Sequence, residues 1–370
     1  DWEKMLMKED KLKREVSGFS AFIMVIGTII GSGVFFKPTA VFGATGTAGL
    51  GLLAWGLGGG LALAGGLTIA EIGTLIPQTG GMMTYMEAIY GKFWGYLIAW
   101  VQTIIFYPVR IAAATVICAT QAANLLGLGK DTVIPIAVAI VLFVNFVNAI
   151  GNKATDILQN LATFLKFIPL ILIIVAGLLF NPDPVKVELI PFTDPGRPLG
   201  AAISAALLAT LYATDGWMNV TNIAGEMKDP GRDLPKAIVG GISMVTLIYL
   251  AINVAYLRVL PANVLAATAT PASDVAGILF SSFGGKLITI GIMISVFGSQ
   301  TGFVRASWRI PYALGLRDML PFGGFFRKLN QKTDMPVNSG MFLMALTIIM
   351  LVCIGDFNIL TSRRPSGLRK

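Results

Sequence analysis

The sequence predicts an all-α polytopic membrane protein with a five-plus-five inverted-repeat core. Three observations predict it. Apolar runs of about 20 residues, long enough to cross a bilayer, recur along the whole chain. Of its 370 residues, 55% are hydrophobic and only 13% charged, roughly half the charge fraction of soluble domains, and the mean hydropathy is +0.75. Two of the runs, the first and the sixth, are interrupted, and they lie five runs apart. Matching interruptions in two halves mark the binding site of transporters built from inverted repeats.

The runs place spans at about 17–43, 48–76, 93–124, 132–150, 155–180, 199–226, 235–260, 283–317 and 337–355. The chain therefore reads as one transmembrane transporter domain over residues 1–370, with repeat one at about 17–180 and an incomplete repeat two at about 199–355. Lys4, Lys8, Lys11, Lys13 and Arg14 precede the first span. Lys92, Lys153, Lys228, Arg232, Lys236, Arg305, Arg309, Arg317, Arg327, Lys328 and Lys332 fall on the same side. The opposite loops hold only Lys37, Lys130, Lys186, Arg197, Arg258 and Lys286. This bias puts the N-terminus in the cytoplasm. It also accounts for the net charge of +8 without nucleic acid. No cleavable signal is visible. The basic tail Ser362–Lys370 falls on the wrong side after nine spans, and a missing tenth span resolves that conflict.

Span 1 carries Gly27-Thr28-Ile29-Ile30-Gly31-Ser32-Gly33-Val34-Phe35. Lipid offers the backbone no hydrogen-bond partner, and each interior glycine costs a helix about 1 kcal/mol against alanine. Alone, the stretch admits two readings: close helix packing, or a deliberate break whose amides and carbonyls hold a small zwitterion. In span 2, Gly56 to Gly66 reads as a small-residue packing face, and Glu71 as the partner of a loop cation. Arg110 in span 3 lines a cavity or snorkels, with nothing to separate the two. Lys166 in span 5 lies about a dozen residues from the nearest loop, too deep for easy snorkelling, and is a functional-site candidate. The proline-rich stretch 181–198 is an extended connection.

Span 6 is broken at Leu211-Tyr212-Ala213-Thr214-Asp215-Gly216-Trp217. Asp215 there costs at least a few kcal/mol unless it faces a partner or water. Paired with this break, the glycines of span 1 read as half of a binding site rather than as packing. The loop Gly225 to Pro235 stops one helix and starts the next, with its charges assigned to the cytoplasmic surface.

Several chemistries are excluded. The chain has no histidine, which removes histidine relays, histidine metal sites and Ser-His triads. Cys118 and Cys353 lie in apolar runs and read as small packing residues. No nucleophile–base pair or metal-ligand spacing appears, so no enzyme activity, no cofactor and no metal is expected. No span shows a selectivity-filter pattern, which argues against a channel.

Together these residues resemble the L-amino-acid transporter family of the amino acid–polyamine–organocation superfamily, in its prokaryotic form. Gly27 to Phe35 is similar to the family's first-helix motif, Leu211 to Trp217 to its broken sixth helix, Glu226 to Pro235 to the following loop, and Phe297-Gly298-Ser299-Gln300-Thr301-Gly302 to its eighth helix. The resemblance runs from about Glu15 to Asp356. It implies a LeuT-type core with broken helices 1 and 6 and twelve spans in all, so that about three are expected to be absent here.

What the resemblance implies about the site is specific. Gly31, Ser32 and Gly33 would take the substrate carboxylate. Carbonyls near Ile29, Tyr212 and Thr214 would take the ammonium, with Tyr212 as the aromatic lid. Asp215, Ile105, Phe106, Tyr249, Ser295 and Ser299 would complete the lining. In sodium-coupled relatives an ion bridges helices 1 and 8; here the ammonium of Lys166 would do so, between the Gly27 carbonyl and a hydroxyl such as Ser295. The expected activity is sodium-independent exchange of small neutral L-amino acids such as alanine, serine or threonine across the plasma membrane. The alternative is a proton-coupled symporter in which Lys166 or Asp215 titrates. The loop Asn124 to Asp131 has no cysteine, so no disulfide-linked heavy-chain subunit is expected.

Overall fold

The computed structural model describes residues 12–181 and 183–362. Lys4, Lys8, Lys11 and the basic tail from residue 363, which entered the orientation argument, lie outside the described residues.

Nearly every element is a helix, as a chain with no backbone partners in lipid must be. Span 1 is two helices, Gly18–Ile29 and Gly33–Thr45, bent by 45° at the residues between them. Ser17 caps the first by accepting a hydrogen bond from the Ser20 amide at 3.1 Å. Gly46, at φ 70°, ends the second. Among the described residues, seven further helical segments are long and apolar enough to cross a membrane: Ala48–Leu75, Lys92–Leu126, Lys130–Ile150, Asn152–Phe180, Leu199–Glu226, Pro230–Val259 and Gly284–Leu316. They are spans 2 to 8. The ninth expected span is the helix Val337–Ser362.

The boundaries differ from the sequence reading where caps decide them. Span 7 starts at Pro230 rather than near 235, because Asp229 caps it and Pro230 occupies its first turn, where a missing N–H costs nothing. Span 3 contains a widened π-turn at Gln102–Phe106, in which the Tyr107 amide reaches back to the Gln102 carbonyl. Pro108 follows and has no N–H to continue the ordinary pattern. Span 6 is helix only as far as Thr214; after Asp215 and Gly216 it continues as a 3₁₀ segment, Trp217–Glu226.

Spans 1 and 2 pack against span 7, and spans 3 and 5 pack against span 8. Part of the glycine face of span 2 makes this closeness possible. A Cβ at Gly66 would stand 2.6 Å from Ile242 Cδ1, and one at Gly59 would collide with Thr246, whereas Gly56 and Gly60 face open space. Glu71 is exposed and has no ion pair among the described residues. At the far end, the short helix Ala262–Ala267 sits over the second half of span 1, and Thr39 donates to the Thr268 carbonyl at 2.6 Å. At the N-terminal end, Val16 pairs with Met227: its amide donates to the Glu226 carbonyl at 2.9 Å, and the Lys228 amide donates to the Val16 carbonyl at 3.0 Å.

Candidate functional site

The two interruptions meet in the middle of the bundle, and two glycines allow the contact. A Cβ at Gly33 would lie 2.7 Å from Ala213 Cα. A Cβ at Gly216 would lie 2.8 Å from the Thr28 carbonyl oxygen, and Gly216 has φ 127°, a conformation L side chains rarely adopt. Each break therefore rests a glycine on the backbone of the other. Hydrogen bonds lock the arrangement. Thr28 Oγ1 is 3.0 Å from the Gly216 carbonyl. Tyr249, fully buried on span 7, has its hydroxyl 3.2 Å from both the Ile29 and the Ala213 carbonyls.

Tyr107, at the end of the π-turn, pins the 3₁₀ half of span 6. Its hydroxyl donates to Asn219 Oδ1 at 3.0 Å and accepts from Asn222 Nδ2 at 2.6 Å, while Asn219 Nδ2 donates to the Gly216 carbonyl at 2.7 Å. Sequence reasoning missed these residues. The one available signal was the Tyr-Pro pair inside an apolar helix, where proline frees a carbonyl and marks an irregular turn.

A small cavity opens at this junction. Ile29, Gly31, Ser32, Gly33, Tyr212 and Ser299 line it, together with Thr28, Arg110, Ala114, Ala213, Gln300 and Phe303. The second half of span 1 starts here, and Ser32 does not cap it with its side chain; the Phe35 and Phe36 amides donate to the Ser32 carbonyl, which leaves the amides at Ser32 and Gly33 and the positive end of the helix dipole for a ligand anion. Thr214 turns its hydroxyl back to the Thr210 carbonyl at 3.0 Å and does not line the cavity. Ile105 and Phe106 are exposed and point elsewhere. Regular helix phasing does not carry across the π-turn that contains them, and span 3 instead offers Arg110 and Ala114.

Lys166 is completely buried. Its ammonium donates to the Gly27 carbonyl at 2.7 Å and to the Ile30 carbonyl at 2.7 Å, which excludes a snorkelling side chain. Ser295 on span 8 reaches the same break from the other side, its hydroxyl 3.2 Å from the Ile30 carbonyl and 3.3 Å from that of Gly31. The sequence reading placed the lysine between Gly27 and Ser295. Instead the two side chains share the Ile30 carbonyl, one of the groups the break sets free. Gly27 has no room for a side chain, because Gln159 and Thr163 of span 5 press on it.

Arg110 makes a different arrangement. Its Nη1 is 3.0 Å from Asp215 Oδ2. Its guanidinium carbon lies 4.7 Å from the centre of the Tyr212 ring and 4.8 Å from that of Phe303, both cation–π distances. Lys37 was read as a loop residue; it is on the second half of span 1, with Nζ 4.1 Å from the Tyr212 ring centre.

The charges of the loop after span 6 also need correction. Glu226 is not at the surface: it and Arg309 are both 0% exposed and joined at 2.6 and 2.9 Å. Asn152 donates to Glu226 at 2.8 Å and accepts from Arg309 at 3.1 Å. Arg305, also buried, pairs with Asp156. The N-terminal end of span 5 and the C-terminal ends of spans 6 and 8 are thus joined by an internal ion network. Arg305 and Arg309 lie one turn apart on span 8 and both donate to Asn152 Oδ1; proximity to a helix end was mistaken for solvation.

Comparison with known proteins gives the family and the fold. The sequence profile of the amino acid permease family matches residues 16–363. The chain is 42% identical over 350 residues to the serine/threonine exchanger SteT of Bacillus subtilis, covering 94% of this chain and 78% of that protein. It is 32% identical to the b(0,+)-type amino acid transporter 1 of Mus musculus, covering 84% of this chain and 64% of that protein. Among solved structures, MhsT in complex with L-phenylalanine superposes with a TM-score of 0.64 at 16% identity, over 96% of this chain and 84% of that one. The fold is therefore the LeuT type, with broken first and sixth helices.

Proposed function

Starting from a chain that belongs to the amino acid permease family, we propose that it is a sodium-independent exchanger of small neutral L-amino acids such as alanine, serine and threonine. The observation that carries the proposal is the fixed ammonium of Lys166 on the carbonyls of the span 1 break. A cation on a side chain supplies the charge that would otherwise come from a bound ion, and it cannot leave with the substrate. The 42% identity to a serine/threonine exchanger supports both the cargo and the exchange mode.

In this reading the first-turn amides at Ser32 and Gly33 hold the substrate carboxylate, and carbonyls of Ile29 and of the end of the span 6 helix hold its ammonium. Ser299 and Gln300 close one wall and Tyr212 lids the other. Gly31 keeps the backbone bare beside Ser299, whose Oγ would stand 3.1 Å from a Cβ there. Binding draws the half-helices of spans 1 and 6 together, and alternating access follows as the two ends of the bundle open in turn. Gly27, Lys166 and Ser295 keep the break in one shape through the cycle. The protein works in the plasma membrane of a prokaryotic cell with its N-terminus in the cytoplasm, which the bias of basic residues supports. It needs no disulfide-linked subunit, since the loop between spans 3 and 4 has no cysteine.

The test is counterflow in proteoliposomes. Labelled L-serine should enter vesicles loaded with unlabelled serine, alanine or threonine and should not accumulate in empty ones. Entry into empty vesicles driven by a pH gradient would replace exchange with proton symport.

A further inference from the structure

The site already contains a cation pocket, and the protein fills it with its own side chain. We propose that Arg110 occupies a guanidinium-binding slot and by doing so excludes cationic amino acids; with the arginine side chain removed, the same slot takes the side chain of L-arginine. The inference rests on the amino-acid exchange reading and names what sets its substrate class.

The slot has three walls. Tyr212 and Phe303 lie 4.7 and 4.8 Å from the guanidinium carbon, and a planar, weakly hydrated guanidinium is the cation best suited to aromatic faces. Asp215 closes the slot with a carboxylate oxygen 3.0 Å from Nη1. Tyr212, Phe303 and Arg110 line the substrate cavity; Asp215 does not. Arg110, which lines the cavity, is in direct contact with that carboxylate.

Charge makes the exclusion effective. Arg110 neutralises Asp215, and Lys37, 4.1 Å from the Tyr212 ring, has no carboxylate partner among the described residues. The charged groups around the Tyr212 ring, Arg110, Lys37 and Asp215, are net positive, which opposes a cationic side chain. Without Arg110, Lys37 and Asp215 balance, and a ring-walled carboxylate faces the cavity. Leaving it unpaired at this depth is costly, so a ligand that supplies the missing guanidinium is favoured. The pair is only partly buried, with side chains 16% and 33% exposed, so the slot is accessible without unfolding its surroundings.

The test compares native protein, Arg110→Ala, Arg110→Gln and the double variant Arg110→Ala/Asp215→Asn. Ligand-induced thermal stabilisation of the purified protein is read with L-arginine and with L-serine, alongside inhibition of serine exchange by L-arginine. Arg110→Gln keeps much of the stem's packing and guards against loss of folding in the alanine variant. Apparent affinity for L-arginine should rise at least about tenfold in both single variants, the order that a hydrogen-bonded charge supplies, and the gain should vanish in the double variant. Stabilisation of the native protein by L-arginine as strong as by L-serine would overturn the inference. So would single variants that exchange serine yet gain nothing for arginine, or a gain that survives loss of Asp215. A native protein that exchanges no neutral amino acid would overturn the exchange reading itself, a result separable from these because arginine binding is read on purified protein.

Discussion

Two cations stand in the middle of this bundle, and they are held in opposite ways. Lys166 is fully buried and donates to backbone carbonyls. Arg110 is partly exposed and pairs with a carboxylate between two rings. Carbonyls carry partial charges, so Lys166 keeps most of its positive charge for the break in span 1, as a bound ion would. A carboxylate cancels the charge it binds, so Arg110 and Asp215 make a neutral, removable unit at the edge of the cavity. The acceptor, more than the depth, decides what an intramembrane cation does. One serves as a fixed part of the framework; the other sits where it can be exchanged for ligand.

The buried pair of Glu226 and Arg309 gives the extreme of full burial with full neutralisation. Glu226→Gln leaves the arginine uncompensated and should cost about 3–5 kcal/mol, seen as a large drop in melting temperature. Loss of less than about 1 kcal/mol would show that water reaches this network.

Next in size is Lys166→Met. It strips the break of two charge-assisted hydrogen bonds, each worth about 1.5–3 kcal/mol. Serine exchange should fall at least about a hundredfold, while stabilisation by bound amino acid changes far less. Native exchange rates in this variant would reduce Lys166 to a packing residue.

The contrast between the two cations was half legible in the sequence. Lys166 stood out because a lysine a dozen residues from a loop has few bland explanations. Arg110 was singled out too, but without a role, because an arginine's partner cannot be read from its own helix, and Asp215 is on another span. The paired interruptions were visible because glycine and aspartate are anomalous in an apolar run, and with them came the fold. The phase of span 3 was not: a π-turn moves later side chains around the helix, so Ile105 and Phe106 were chosen where Arg110 and Ala114 face the cavity. The ion network was hidden for a related reason, since charges near a helix end look solvated until the neighbouring spans are in place. Glycine roles divided in the same way. Gly216 needs its positive φ, which a motif suggests, whereas the contact between Gly33 and Ala213 is a property of the folded pair.

A smaller effect separates scaffold from ligand contact. Tyr249→Phe removes one hydroxyl that ties both breaks together. It should cost about 1 kcal/mol of stability, measured by thermal unfolding, with a weakened affinity for all amino acids alike. A change confined to one substrate would mean the hydroxyl touches cargo. The smallest effect belongs to the surface pair Lys13–Asp334, 2.6 Å apart with side chains 66% and 32% exposed. Asp334→Asn should shift stability least of this series, and less in high salt. A loss as large as that of Glu226→Gln would break the ranking by burial.

The central claim is that Lys166 does for the broken first helix what a bound ion would otherwise do. The most direct measurement is the initial rate of labelled L-serine entry into serine-loaded proteoliposomes, taken in sodium buffer and in choline buffer at equal ionic strength. The account predicts the same rate in both. A rate that rises with sodium would contradict it.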